Sequence, residues 1–238
     1  MRRTLFLLLT LNAFAQAAPE IEITAEPHHH LTFTNDQIRV FYVEAPPHSE
    51  TLMHWHRHDY VFVTLGDSNV VSAVKGKDPV TLKLADGETR FTPGNFAHIT
   101  RNLSDQPFRN VTIELLQDEK LRSAHAQQDA ADTEKSRGLA ILHGGTQEVF
   151  WVHDGVRASL FELQPGGVDP GQQHSQHAGP ELVVAVADSN LFEGVPVKGF
   201  RPSPPLGSGE VRWLPAGSSH MLTNVGKKTA KFVTLEFP

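Results

Sequence analysis

Short apolar segments separated by turn-forming residues dominate the chain. Clusters of Gly, Pro, Asp and Asn lie between segments rich in β-branched and aromatic residues, which favour strands. These segments are 38–43, 60–64, 70–74, 111–116, 158–163, 182–186, 211–214 and 232–237. Many short strands with regular turn signals are typical of a β-sandwich or β-barrel. The sequence therefore predicts an all-β fold.

The strand pattern occurs twice, at offsets of 121 or 122 residues. The aligned segment pairs are Tyr60–Asn69 with Glu181–Asn190, Gly87–Pro93 with Gly209–Pro215, and His98–Asn102 with His220–Asn224. Constant order and spacing indicate two copies of one β unit. We predict these units at 28–117 and 143–238, joined by a linker at 118–142 that is charged and rich in Ala and Gln.

The first residues have the pattern of a secretory signal peptide. Arg2 and Arg3 precede an apolar run at Leu5–Leu11, and small-x-small cleavage sites end at Ala15 or Ala17. This run is shorter than the roughly 20 residues that span a bilayer. We therefore predict a signal peptide at 1–17, a periplasmic or secreted mature chain, and no membrane span after the signal is removed.

Composition excludes several classes of function. The formal net charge is −6, and it becomes −8 without Arg2 and Arg3, whereas nucleic-acid binders carry a basic patch or stripe. The chain has no cysteine, which rules out disulfides, thiolate metal ligands and a cysteine nucleophile. It has 14 histidines. The run His28–His30 is interpreted as a solvated polar segment, with metal capture as the alternative.

Histidines of the first copy have the spacing of metal ligands. His54, His56 and His58 alternate, and alternate side chains of a strand share one face. His98 follows some forty residues later. We predict that His54, His56 and His98 bind a metal, since three ligands leave the open positions of a catalytic site. His58 is interpreted as a loop residue that replaces His54 if the register slips.

The second copy offers a four-ligand set. We predict that His174, His177, Glu181 and His220 bind a metal, with Gln176 as an alternative ligand. Neutral imidazoles with one carboxylate suit a divalent ion such as Fe, Mn, Ni or Zn, and the residues leave the choice open.

At this point the chain resembles the cupins. Their second motif is a glycine, five residues, proline, one residue, glycine, two residues, histidine, three residues and asparagine. The second copy has every defined position: Gly209, Pro215, Gly217, His220 and Asn224. The first copy has Gly87, Pro93, His98 and Asn102, with the second glycine displaced to Gly94.

The first cupin motif is looser in this chain. Its pattern is His-x-His, three or four residues, then Glu. His54 and His56 fit it, but Tyr60 stands where the glutamate belongs. In the second copy Glu181 and His177 match, whereas Ser175 holds the first histidine position and His174 lies one residue earlier.

The resemblance implies two tandem cupin barrels of the double-stranded β-helix or jelly-roll type, with the motif histidines pointing inward. A phenol ionises near pH 10, so Tyr60 is not an ordinary replacement for the glutamate ligand. We predict a catalytic role for Tyr60 as a hydrogen-bond donor to substrate or oxygen. The alternative is an aromatic residue that only lines the barrel.

Relatives of double-cupin type include oxalate-degrading enzymes, aromatic-ring dioxygenases and flavonol dioxygenases. The resemblance therefore implies an exported, metal-dependent enzyme of dioxygenase, isomerase or lyase type that acts on a small organic molecule. The absence of a carboxylate at Tyr60 counts against oxalate decarboxylation in the first barrel. The alternative is a non-catalytic periplasmic protein that binds a small molecule or a metal. Cupins often pair through sheet edges, so a homodimer is a further expectation.

Overall fold

The computed structural model describes residues 19–116, 138–153, 156–169, 179–194, 196–201, 203–217 and 220–238. Over these ranges the chain forms nineteen β-strands and one short 3-10 helix, Ile23–Ala25. None of the helical structure in the described part of the chain is long and apolar enough to cross a membrane. The predicted signal peptide (1–17) and most of the predicted linker (118–142) lie outside these ranges.

The first unit consists of two five-stranded sheets. One contains β1 (Ile21–Glu22), β4 (His54–His56), β6 (Ser68–Val74), β7 (Val80–Leu84) and β9 (Phe96–Asn102), in the order β1-β4-β9-β6-β7. The other contains β2 (His29–Thr34), β3 (Ile38–Ala45), β5 (Tyr60–Leu65), β8 (Thr89–Thr92) and β10 (Phe108–Leu115), in the order β2-β3-β10-β5-β8. Neighbouring strands are antiparallel except β1 and β4.

The second unit repeats this plan with a larger and a smaller sheet. The larger contains β11 (Gly138–Leu142), β12 (Gly145–His153), β13 (Val156–Leu163), β15 (Glu181–Ala185), β17 (Val211–Leu214) and β19 (Ala230–Glu236). The smaller contains β14 (Val168–Asp169), β16 (Leu191–Glu193) and β18 (Leu222–Asn224). The all-β prediction is confirmed, and each of the eight strands expected from the sequence overlaps an observed strand.

Two strands extend beyond the unit boundaries expected from the sequence. Strand β1 lies before residue 28, and it pairs with β4, the strand that carries His54. Strand β11 falls inside the predicted linker and pairs with β12. Residues 117–137 lie outside the described part of the chain.

Alternation along the strands of the first unit directs side chains either towards the second unit or into the interior of the first. In β10, Val111, Ile113 and Leu115 face the second unit, whereas Asn110 and Thr112 line a cavity inside the first. The period of two in side-chain direction produces this division. The same alternation of apolar Val111, Ile113 and Leu115 with polar Thr112 and Glu114 is the period-two pattern that predicts a strand here.

A single apolar core joins the two units. Each unit contributes eight buried residues, and each residue has a counterpart at the aligned position of the other unit. The first-unit residues are Ile38, Val40, Val61, Val63, Leu65, Val111, Ile113 and Leu115. The second-unit residues are Val156, Ala158, Leu182, Val184, Val186, Val233, Leu235 and Phe237. Burying a valine, leucine or isoleucine side chain contributes about 1.5–3 kcal/mol, so this core is a major source of stability.

The turn before each motif histidine needs a left-handed residue. Gly217 supplies it in the second unit (φ 89°), and Asn95 supplies it in the first (φ 64°). Asparagine is among the few non-glycine residues that tolerate this conformation. Gly94, at which the sequence placed the displaced motif glycine, has a different role. A Cβ there would lie 2.3 Å from the backbone carbonyl carbon and oxygen of His58.

The motif asparagines fasten equivalent turns in the two units. Asn102 Nδ2 donates to the carbonyl oxygens of Ala45, Pro46 and Gln106 at 2.8–3.2 Å. Asn224 Nδ2 makes the corresponding bonds to two carbonyl oxygens at 2.8 Å. Both side chains are fully buried, so these bonds satisfy backbone groups that water does not reach.

Candidate metal centre

Three histidines meet inside the first barrel. His54 and His56 lie on β4, where alternation sends both side chains inward. His98 lies on β9 and pairs directly with His54 across the two strands. The relative exposures of His54, His56 and His98 are 0%, 2% and 7%. The structure therefore brings together the three ligands predicted for the first copy.

The spacing of their nitrogens fits one metal ion. His56 Nε2 lies 3.2 Å from His54 Nε2 and 3.1 Å from His98 Nε2. Metal–imidazole bonds are about 2.0–2.1 Å long, so neighbouring ligand nitrogens at tetrahedral to octahedral angles lie roughly 2.8–3.4 Å apart. The residues thus fit a divalent metal, as the sequence predicts.

The other ring nitrogens orient these imidazoles. His54 Nδ1 lies 2.8 Å from the Leu52 carbonyl oxygen and donates to it. His98 Nδ1 lies 3.2 Å from Ser72 Oγ. Partners of this kind fix the tautomer and the ring direction of metal-binding histidines. His56 is instead held by stacking, with its ring centroid 4.1 Å from that of Tyr60 and 5.6 Å from that of Phe96.

Burial keeps the three imidazoles neutral at pH 7. Loss of hydration lowers the pKa of His54 to about 4 and that of His98 to about 3. The same effect, followed by the charges of His98 and His54, places the pKa of His56 well below its usual value. A neutral imidazole retains the lone pair that a metal needs, so the cluster is in its ligand form at physiological pH.

The cluster opens onto a cavity of about 640 Å³. Apolar and aromatic side chains form much of its wall: Val43, Phe62, Val70, Val74, Leu82, Leu84, Phe96 and Phe108. Asn110, Thr112 and Ser72 add polar groups, and Lys75, Lys77 and Arg90 add positively charged ones. Among the described residues that line the cavity, none carries a carboxylate. Cavities of this size and composition bind small organic molecules.

Tyr60 lies at the wall of the same cavity, beside His56. Its side chain is buried, and burial raises the pKa of its phenol, while a hydrogen bond with Thr92 acts in the opposite direction. The phenol is therefore neutral and able to donate a hydrogen bond. His58 lies outside the cluster, and its backbone packs against Gly94. The strand register thus presents His54 rather than His58.

A fourth histidine, outside the ligand set predicted for this barrel, lies beside the cluster. The side chain of His29 is 6% exposed, so the interpretation of His28–His30 as solvated is wrong for His29. A ring nitrogen from each of His29, His54 and His56 lies within 4.8 Å of the other two. The nearby Glu26 carboxylate is fully buried and lies 2.6 Å from His29 Nδ1.

The second barrel arranges its described residues differently. His220 Nε2 lies 2.9 Å from the Pro215 carbonyl oxygen, and its Nδ1 lies 3.2 Å from Glu181 Oε2. The pKa of His220 is raised, chiefly by Glu181, and burial raises the pKa of Glu181. His174 and His177 lie outside the described residues, as does Gln176. The metal set predicted for this copy therefore stays a prediction.

A second carboxyl group accompanies Glu181. Glu236 on β19 is its cross-strand neighbour. Burial, followed by the charge of Glu181, raises the pKa of Glu236 to about 7. The aligned position in the first unit is Glu114, whose buried carboxylate lies 2.6 Å from Arg39 Nη2. Each barrel thus has an acidic residue on the neighbouring strand, Glu114 opposite Tyr60 in the first and Glu236 opposite Glu181 in the second.

Comparison with known proteins supports the architecture. No family model matches the chain. Germin-like protein 3-8 of Oryza sativa subsp. japonica is 32% identical over 106 residues, which are 44% of this chain and 46% of that protein. The match thus spans about half the length of this curated relative.

Solved structures match over most of the chain. Oxalate decarboxylase from Bacillus subtilis at pH 4.6 is 12% identical, with a TM-score of 0.57, over 84% of this chain and 68% of that one. Another structure of the same enzyme, from work on its Mn(II) centres, is 10% identical with a TM-score of 0.58, over 90% and 76%. At this identity the likeness concerns the fold. The chain is a cupin in fold, with the two-barrel architecture of a bicupin.

Proposed function

We propose that the chain is a metal-dependent enzyme whose first barrel transforms a small organic molecule by dioxygenase-type chemistry. The observation that carries this proposal is a cluster in which His56 Nε2 lies 3.1–3.2 Å from the Nε2 atoms of His54 and His98, with His56 and His98 at the wall of the 640 Å³ cavity. Three protein ligands leave coordination positions for other molecules, as in catalytic rather than structural metal sites.

The composition of the cavity favours this reaction type. Isomerases and lyases that move protons use a general base within hydrogen-bond reach of the substrate, often a carboxylate or histidine. The described cavity residues include no carboxylate, and the buried histidines are directed at one another. His54, His56 and His98 would hold the metal, which would supply activation of dioxygen or of the substrate at its open positions.

The residues around the cluster have supporting roles. Tyr60 holds the His56 ring by stacking, and its neutral hydroxyl is placed to donate a hydrogen bond at the cavity wall. Ser72 and Leu52 orient His98 and His54. The aromatic and aliphatic part of the wall lowers the local dielectric constant, which strengthens electrostatic interactions beside the cluster. We infer a substrate with an apolar body and one or two chelating oxygens.

We also propose export to the periplasm or secretion, on the strength of the pattern at residues 1–17. Sequencing the amino terminus of protein recovered from its natural export route would test this. A new terminus close to residue 18 is expected, and a retained Met1 would refute export.

Metal analysis of the full-length chain without an affinity tag tests the function. We expect metal in the wild type, loss of the first-barrel metal in His98→Ala, and full retention in His48→Ala, which changes an exposed histidine paired with Asp105. Oxygen uptake is then followed with catechol as an apolar, chelating probe, beside oxalate. Uptake with catechol that Tyr60→Phe reduces without loss of metal would support the proposal.

Other outcomes have different meanings. If the wild type binds no metal after reconstitution with Fe, Mn, Ni and Zn, the proposal fails. If metal is bound and catechol raises the melting temperature without turnover, the chain is a binding protein, which was the alternative from the sequence. Release of carbon dioxide from oxalate without oxygen uptake would assign a lyase.

A further inference from the structure

We propose that His29 is a fourth nitrogen ligand of the first-barrel metal, supplied by β2 from outside both cupin motifs and held in place by Glu26. The inference rests on the proposed metal site, and it concerns which residues complete that site. It further assigns a preference for metals that favour imidazole, namely Fe, Ni or Zn, over Mn.

The position of His29 follows from strand alternation. His29 begins β2 and pairs with Val43 of β3, so its side chain points into the barrel, while His30 points the other way and is exposed. The His29 ring centroid lies 4.6 Å from that of His54 and 6.2 Å from that of His56. His29 also lines the cavity. It is thus the member of the three-histidine run that reaches the cluster.

Glu26 determines which nitrogen of His29 is available. Its carboxylate accepts from His29 Nδ1 at 2.6 Å, from His28 Nδ1 at 3.0 Å, and from the backbone N–H groups of His28 and Leu52 at 2.8 and 3.1 Å. Each carboxylate oxygen therefore has two donors, which makes Glu26 a positioning residue and not a ligand. With Nδ1–H donated to Glu26, Nε2 of His29 keeps its lone pair.

This arrangement is the support that metal-binding histidines usually have. Their second ring N–H is donated to a carboxylate, a backbone carbonyl or water. Leu52 connects two such supports, since its N–H donates to Glu26 while its carbonyl oxygen accepts from His54 Nδ1. His29 and His54 are therefore aligned by one continuous set of hydrogen bonds. A histidine that served packing alone would not need a carboxylate with four donors.

Tyr60 stands in place of the glutamate ligand of the motif, so the site lacks a ligand that His29 can replace. A neutral phenol stands where the cupin motif has a carboxylate ligand, so the motif residues alone provide three imidazoles. Adding His29 gives four neutral nitrogen ligands and no anionic one. Imidazole suits Zn, Cu, Fe and Ni, whereas carboxylate suits Mn and Mg. The site should therefore bind Mn more weakly than a site with three imidazoles and a carboxylate.

Titration with Co(II), followed by its visible absorption, tests the inference independently of any turnover. The compared chains are wild type, His29→Ala, His29→Gln and the matched control His30→Ala. His29→Gln retains an N–H group for Glu26, so it separates ligation from folding. We expect His29→Ala and His29→Gln to weaken Co(II) binding at least 10-fold and to change the absorption bands, while His30→Ala leaves both unchanged.

Two further measurements sharpen the result. Glu26→Gln should weaken Co(II) binding about 10- to 100-fold, as loss of supporting partners does at other metal sites. Added imidazole should restore the wild-type bands in His29→Gly by filling the vacated position. In direct competition the preference for Zn over Mn should be larger in the wild type than in His29→Ala, since any nitrogen or oxygen site binds Zn more tightly than Mn. Far-UV circular dichroism of each metal-free variant verifies the fold.

The outcomes separate this inference from the proposed function. A wild type that binds no Co(II) overturns both. Tight binding with unchanged affinity and bands in His29→Gln overturns the role of His29 and leaves the three-histidine site standing. Weakened binding with unchanged bands, and no rescue by imidazole, would also refute direct ligation and assign His29 to packing.

Discussion

Gly94→Ala is expected to be the most damaging small substitution in the first barrel. A Cβ at this position would lie 2.3 Å from the carbonyl carbon and oxygen of His58 and 2.7 Å from the Asp59 nitrogen. Ordinary contact begins at 3.4 Å, so the two backbone segments would have to separate by about 1 Å. These are backbone atoms, which cannot rotate aside. Overpacking costs about 1–3 kcal/mol, and we expect the upper end, about 3 kcal/mol.

Urea unfolding followed by far-UV circular dichroism measures this loss, with Gly76→Ala as the control. Gly76 has φ 75° and nothing within 4 Å of its Cβ position, so alanine meets only the left-handed penalty of about 1–2 kcal/mol. Metal affinity should fall only in Gly94→Ala, because the adjacent Asn95 N–H bonds the His56 carbonyl at 2.7 Å. A loss at Gly94 no larger than at Gly76 would refute the steric argument.

Three further substitutions test buried polar groups. Glu236 has a folded pKa of about 7, above the 4.5 of an ordinary glutamate, so the folded chain holds the extra proton and loses stability as pH rises from 4.5 through 7. Glu236→Gln should make the melting temperature independent of pH over that window, and a parallel decline in both chains would count against this reasoning. Arg39→Met leaves the Glu114 carboxylate buried without its partner and should lower the free energy of unfolding in urea by about 3–5 kcal/mol. Adding Glu114→Met should recover most of the loss. A much smaller loss in Arg39→Met alone would argue against burial of the charge. Asn102→Asp removes the Nδ2 donors and should lower the free energy of unfolding by about 1–3 kcal/mol per unsatisfied carbonyl. An unchanged urea midpoint would contradict this and show that water replaces the lost donors.

The ligands on β4 and β9 could be predicted because local rules determine them. His54 and His56 alternate, so any strand through them places both on one face. His98 follows the turn pattern of its motif, and its pairing with His54 continues the same ladder. The eight strand segments are equally predictable, because they are rich in β-branched and aromatic residues and are bounded by turn-forming residues.

His29 could not be selected from the sequence alone. In a run of three histidines, alternation separates the middle residue from its neighbours, but the direction depends on the register of β2 against β3. That register includes an irregularity between Leu31 and Phe33. Glu26 precedes the strand, and its burial results from packing around the 3-10 helix. The register of β2 and the burial of Glu26 both depend on tertiary packing, so composition and periodicity do not predict them.

The motif turn shows another limit of pattern matching. Comparison with the motif assigns the displaced glycine to Gly94, because the motif specifies glycine. The required property is a positive φ, and Asn95 has it. Glycine in the motif thus stands for a positive φ and not for a particular side chain. Asn95, two residues after Pro93, satisfies that requirement.

The shared core has a consequence for synthesis of the chain. The first unit emerges from the ribosome while eight of its core residues, from Ile38 to Leu115, still lack their partners. The last of those partners, Phe237, follows Leu115 by 122 residues, so the apolar face stays uncovered for on the order of ten seconds at usual rates of elongation. During that interval the nascent protein is prone to aggregate and is a natural client for chaperones, until the second unit covers the apolar face.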